Sequence, residues 1–178
     1  MGCARPARRA AVRAARACDA ALRAAGARHI AAFEPLPHRR EAALRYGADV
    51  CLRPDILPGD LRELVGEGAE VVFEMAGTAD AVTLSMAAAR PGGRVVLGGI
   101  PADDRIAFEA STARRKGLTI AMVRRMNNVY GRAIALAAAG SFSLAPLVTD
   151  RFGLASAGPA FGIAAKRKGL KVVIEPAA

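Results

Sequence analysis

The chain has 178 residues, 26 of them basic and 16 acidic, for a formal net charge of +10, and 53% of it is hydrophobic. That hydrophobic share excludes a disordered chain, and no charge-free apolar run approaches the roughly 20 residues that a bilayer crossing needs. Three cysteines, Cys3, Cys18 and Cys51, are odd in number and widely spaced. They suit neither a disulfide framework nor a structural zinc site, and they set a cytoplasmic, reducing compartment as the expectation.

In chain order, residues 1–30 come first, with seven arginines against one acid, Asp19, a net of +6; the remaining 148 residues carry only +4. Basic charge gathered in an Ala/Arg-rich leader is weak support for a polyanion partner, so nucleic acid is not expected to bind. The leader is as poor in acids as a transit peptide, but its lack of serine argues against targeting. Residues 1–25 are expected to be a loosely attached helix. From His29 onward short apolar runs recur: 29–33, 71–73, 94–97, 118–123 and 171–174. They are continuous rather than alternating, as strands buried on both faces of a parallel sheet are. Helical stretches lie between them. Pro37 suits a first helical turn and Gly47 ends that segment. Thr78 caps a helix running to about Arg90, which Pro91-Gly92-Gly93 stops. Asn127 and Asn128 cap an alanine-rich stretch ending at Gly140. Residues 141–151 read as a loop and short strand, followed by a helix from about Leu154 to Lys166 and a last strand at 170–174. Strands alternating with helices predict an α/β fold, a parallel sheet with flanking helices.

In such a sheet ligands bind at the carboxyl ends of the strands. The first such end is Phe33-Glu34, where an acid can accept hydrogen bonds from ribose hydroxyls, with Arg39 five residues on. The next are Glu74-Met75-Ala76-Gly77 and Leu97-Gly98-Gly99, whose small residues let a flat ring approach the backbone. The fourth, Arg124 and Arg125 beside Asn127 and Asn128, sets guanidinium groups next to amides that suit an oxygen-rich ligand. Each of these ends is also what an ordinary solvated turn looks like.

From about Gly26 to Pro176 the chain resembles the C-terminal half of the zinc-dependent medium-chain alcohol dehydrogenases, above all the sorbitol and other polyol dehydrogenases. Pro37-His38-Arg39-Arg40, Tyr46-Gly47-Ala48-Asp49, residues 71–77, Arg90-Pro91-Gly92-Gly93-Arg94-Val95-Val96, residues 123–130, Pro146-Leu147-Val148-Thr149, Phe161 and the ending at 171–175 carry the likeness. It implies a Rossmann-like coenzyme domain over 26–140 that presents NAD to a zinc-bound alcohol or polyol, and a segment, 141–178, that returns to the catalytic domain. By the same resemblance Glu34 stands as the ribose-binding acid and Arg39 as the adenine-side arginine. Glu74, Met75, Ala76, Gly77, Leu97, Gly98 and Gly99 would line the nicotinamide half. Arg125, with Arg124 beside it, would reach cofactor and substrate. Met126 replaces a tyrosine usual among polyol members.

Two absences stand beside the likeness. The family's zinc ligands belong to an N-terminal domain that is not in this sequence, and His29, His38 and Cys51 form no ligand spacing, so neither a metal site nor a catalytic residue is assigned. The G-x-G-x-x-G turn after a first strand is also missing: Gly2-Cys3 followed by Pro6 is only a faint echo. The first strand is normally central in the order 3-2-1-4-5-6, so its loss is expected to leave a gap in mid-sheet, with residues 1–25 foreign to the family, the mark of a truncated or frame-disturbed derivative. The expected function is the coenzyme-binding portion of an NAD-dependent alcohol or polyol dehydrogenase, itself inactive. A non-catalytic remnant that associates with a full-length relative or with itself is the alternative. A zinc-free reductase relative and a basic nucleic-acid-binding protein stand further off.

Overall fold

The structure, a computed structural model, describes residues 9–13, 16–55, 66–124, 128–140 and 142–176. It divides into two compact units, residues 1–131 and 132–178.

The first unit is built on a six-stranded sheet: β1 (Arg9–Arg13), β2 (His29–Phe33), β3 (Val50–Leu52), β4 (Ala69–Glu74), β5 (Ala89–Leu97) and β6 (Thr119–Met122). All neighbours are parallel, in the order β3-β2-β1-β4-β5-β6. The expected gap in mid-sheet is therefore corrected. Arg9–Arg13 fills it, pairing with His29–Phe33 on one side and with residues 71–74 on the other. The strand escapes a pattern-based reading because three small or branched residues, Ala10, Ala11 and Val12, sit between arginines and show no apolar run. Its ladder comes from the neighbours on both flanks rather than from its own propensity.

Helices flank the sheet on both faces: α1 (Arg16–Ala24), α2 (Pro37–Arg45), α3 (Ala79–Ala88) and α4 (Ala110–Lys116), and α5 (Tyr130–Ala138) follows in sequence across the division between the units. β2 shows how one strand serves two layers, because successive side chains point to opposite faces. Ile30 and Ala32 join Ala43 of α2, with Cys18 and Leu22 of α1 packed against them, whereas Ala31 and Phe33 join Val82 and Met86 of α3. The loosely attached leader helix is thus also corrected, over residues 16–24. Asp19 and Ala20 of α1 are buried. Arg23 ties α1 down by donating to the carbonyls of Ala27, Arg28 and Gly47 and to the Asp49 carboxylate, whose other oxygen accepts from Ile30 N.

Residues 90–93, Pro91-Gly92-Gly93 among them, do not separate helix from strand as expected. α3 ends at Ala88 and β5 begins at once; Ala69 pairs with Ala89 and Val71 with Arg94, so 90–93 bulge from the ladder. The end of α3 has no basic residue in its last turn. Lys116, at the end of α4, supplies the charge: its Nζ donates to the carbonyls of Met86, Ala87 and Ala89 at 3.1, 2.7 and 2.8 Å. Lys116→Met keeps the apolar stem and removes all three donors. Urea unfolding is expected to show a loss of about 1–3 kcal/mol. A change below about 0.5 kcal/mol, the scatter of ordinary surface substitutions, would mean that water caps this end equally well.

The second unit contains β7 (Val148–Gly153) and β8 (Lys171–Glu175), paired in parallel and bridged by an Arg151–Glu175 ion pair, with α6 (Ala157–Ala165) between them in sequence. Among the described residues no helix is long and apolar enough to cross a membrane.

Candidate functional site

A parallel sheet gathers the carboxyl ends of its strands along one edge, and Glu34, residues 74–77, residues 97–99 and Arg124 lie at those ends. Glu34 is the first residue past β2. Its N–H donates to Leu52 O at 2.9 Å, which fastens it to β3, and its Oε1 accepts from Leu36 N at 3.1 Å. The residue is 4% exposed. Arg40, from the first turn of α2, donates Nη1 to the carbonyls of Glu34 and Pro35 at 3.0 and 2.7 Å, so the loop is held from both sides. Arg39 lies half-buried beside it in the same turn.

The ends of β4 and β5 are bound into one structure by Glu74, which is 1% exposed. Its Oε1 accepts from Ala76 N at 2.6 Å and Gly77 N at 2.9 Å. Its backbone carbonyl accepts from Gly98 N and Gly99 N at 2.8 and 3.0 Å. Glu74 thus clasps two loops together, a role that spacing alone did not reveal. Their glycines have a packing cause. A Cβ on Gly98 would stand 2.6 Å from the Met75 sulfur, and one on Gly77, whose φ is +69°, would stand 2.5 Å from the Ile100 carbonyl. β6 is drawn to the same edge by Val123 N donating to Leu97 O. Arg124 follows, exposed. Arg125, Met126 and Asn127 lie outside the described residues.

Two cavities border this region. One, of about 440 Å³, runs between the loop after β4 and residues 99–107, with Glu74, Thr78, Val82 and Ile106 in its wall. The other, of about 450 Å³, lies at the ends of β5 and β6 and is lined by Leu97, Ile100, Phe108, Met122 and Val123 among others. Sequence reasoning found neither, because residues 101–108 form a wall only once β5 and α4 are in place.

Among the described residues no group of three or more His, Cys, Asp or Glu is arranged to hold a metal ion. The two described cysteines are held as neutral thiols. Burial, and then the nearby Asp19 charge, pushes the Cys18 thiol up to about 12. Burial, followed by the charges of Asp19 and Glu34, raises Cys51 to about 11. Both are therefore protonated thiols near neutral pH, without the thiolate that nucleophilic attack requires.

The chain is similar to known proteins in sequence and in fold. A probable D-xylulose reductase A of Arthroderma otae is 32% identical over 165 residues, 88% of this chain and 46% of the relative. A sorbitol dehydrogenase of Ovis aries is 31% identical over 160 residues, 87% of this chain and 45% of the relative. The alcohol dehydrogenase TADH of Thermus sp. ATN1 superimposes with a TM-score of 0.83 at 25% identity, over 96% of this chain and 52% of that one. The chain thus spans about half the length of these curated relatives. Residues 16–139, from α1 to the end of α5, match the family described as zinc-binding dehydrogenase. This match covers more than half of the chain: the chain belongs to the zinc-binding dehydrogenase family.

Proposed function

We propose that this chain supplies the coenzyme-binding portion of an NAD-dependent alcohol or polyol dehydrogenase. The observation that carries the proposal is the buried Glu34 carboxylate at the end of β2, one strand from the centre of a 3-2-1-4-5-6 sheet. An acid there accepts hydrogen bonds from the adenosine ribose hydroxyls and repels a 2′-phosphate. When bound, NAD supplies the hydride acceptor for an alcohol. The chain's own residues would hold and orient it: Glu34 at the ribose, with Arg39 toward the adenine, and Glu74, Met75, Ala76, Gly77, Leu97, Gly98 and Gly99 along the nicotinamide side, with Arg124 and Arg125 beyond. Residues 26–140 would carry this role and 141–178 would serve a catalytic domain.

The ribose end fits the group; at the diphosphate end the sequence departs from the glycine turn of the family. Between Arg13, the last residue of β1, and Arg16, the first of α1, the sequence has Ala14 and Ala15 and no glycine. The family's zinc finds no ligand set among the described residues, so no step through it is derived. The cytoplasmic setting and an alcohol or polyol substrate belong to the same proposal.

Titration with NAD and with NADP, followed by protein fluorescence or calorimetry, tests it. NAD is expected to bind at least about tenfold tighter than NADP, and Glu34→Ala to bring the two within about twofold. Equal affinity in the unaltered chain would remove Glu34 from the ribose.

A further inference from the structure

We propose that Glu74 is a positioning residue for the nicotinamide end of the coenzyme. It acts through the backbone of residues 76–77 and 98–99 rather than by contact with the ring, so its loss removes the affinity that nicotinamide adds and spares the affinity of the adenosine end. This rests on the coenzyme-binding role proposed above.

A ring laid against backbone is oriented only as well as that backbone is fixed, and a displacement of about 1 Å is enough to matter. The two loops concerned leave neighbouring strands, β4 and β5, and both are fastened to Glu74. Ala76 N and Gly77 N donate to its Oε1 at 2.6 and 2.9 Å, and Gly98 N and Gly99 N donate to its backbone carbonyl at 2.8 and 3.0 Å. Any residue would supply that carbonyl; the bonds from Ala76 and Gly77 need this side chain. Its other oxygen, Oε2, lies 2.5 Å from where a Cβ on Gly99 would stand, so the carboxylate is wedged between the two loops. An ionised acceptor makes the amide bonds charge-assisted and therefore strong. Glu74 is 1% exposed, which leaves almost none of its surface open to a ligand.

The adenosine end is held by other groups. Glu34 N donates to Leu52 O, its Oε1 accepts from Leu36 N, and Arg40 donates to the carbonyls of Glu34 and Pro35. None of these partners belongs to β4, β5 or their loops, and β1 lies between β2 and β4 in the sheet. Sites without shared partners respond nearly independently, so loosening the loops at Glu74 leaves the Glu34 loop in place.

Glu74→Gln and Glu74→Met test the proposal at nearly constant side-chain volume. Glutamine keeps an oxygen that can accept from Ala76 N and Gly77 N, and methionine offers only a weak sulfur acceptor. Calorimetric titration with NAD and with ADP-ribose, which lacks the nicotinamide, gives the ratio of the two affinities. In the unaltered chain NAD should bind at least about tenfold tighter than ADP-ribose. Glu74→Met should bring the two within about twofold while ADP-ribose binds as before, and Glu74→Gln should keep the ratio within about threefold of its original value. Lys116→Met, which loosens the far end of the helix that follows Gly77, should lower stability and leave the ratio unchanged. Should the methionine variant fail to fold, amide hydrogen exchange of the unaltered chain serves instead: NAD should slow Ala76 and Gly77 at least about tenfold more than ADP-ribose does. Equal loss of both ligands in Glu74→Met, an unchanged ratio there, a ratio that falls as far in Lys116→Met, or equal protection by the two ligands overturns the proposal and leaves the coenzyme-binding role standing. So does an unaltered chain that binds ADP-ribose as tightly as NAD. Binding of neither ligand removes this proposal and the coenzyme-binding role together.

Discussion

Phe33→Ala is expected to lower the stability of the chain by about 3–5 kcal/mol, a large fraction of the roughly 5–15 kcal/mol that ordinarily holds a domain folded. Phe33 is the last residue of β2 and is 2% exposed, set among Val72, Val82, Met86 and Leu97. Among the described buried apolar residues twelve are alanine and seven are larger, so few side chains supply the apolar area of the interior. Alanine neighbours have no side-chain length with which to refill the space an aromatic ring leaves. Urea unfolding of Phe33→Ala and Phe33→Leu reads the effect, and the leucine variant should lose no more than about half as much. A loss below about 1 kcal/mol for alanine would mean that the layers collapse onto the cavity more readily than their packing implies.

Gly99→Ala should cost about 3 kcal/mol, at the upper end of what overpacking usually takes. An added Cβ would run into Gly77 N, and would lie 2.5 Å from Glu74 Oε2 and 2.6 Å from Gly77 Cα. Two of those atoms are backbone and the third belongs to a carboxylate held by Ala76 N and Gly77 N through its other oxygen. None yields without loosening the clasp between the β4 and β5 loops. Gly162→Ala is the matching control: the position lies inside α6 with nothing within 4 Å of an added Cβ. There alanine should stabilise by about 0.5–1 kcal/mol, because glycine is a poor helix residue. If the two variants melt alike, the Gly99 loop has room that its neighbours do not show.

These residues also mark what the sequence made legible. The runs at 29–33 and 71–73 were readable because strands covered on both faces must be continuously apolar, and both lie within observed strands. Thr78 was readable as a cap because its hydroxyl accepts from Ala81 N. β3, only three residues long, falls below the length at which a pattern can be recognised. β1 was hidden because its arginines break any apolar run, and its place in mid-sheet is set by partners distant in sequence. Glu34 and Glu74 both stood out as acids at strand ends, yet their surroundings differ. Glu74 spends one carboxylate oxygen and its carbonyl on holding two loops together, and that difference arises only when β5 is laid beside β4. Asp19 gave no signal at all, since burial of an acid in α1 follows from how the helix docks.

The alanine-rich interior has a thermal consequence. Alanine gives up almost no rotamer freedom on burial, so ordering this core is entropically mild for its side chains. It also hides little hydrocarbon from water per residue, and the heat capacity of unfolding follows the hydrocarbon exposed. The stability curve of this unit should therefore be flatter than that of a leucine-rich sheet of equal length. Its melting temperature would respond strongly to small free-energy changes, while cooling would do comparatively little to weaken it.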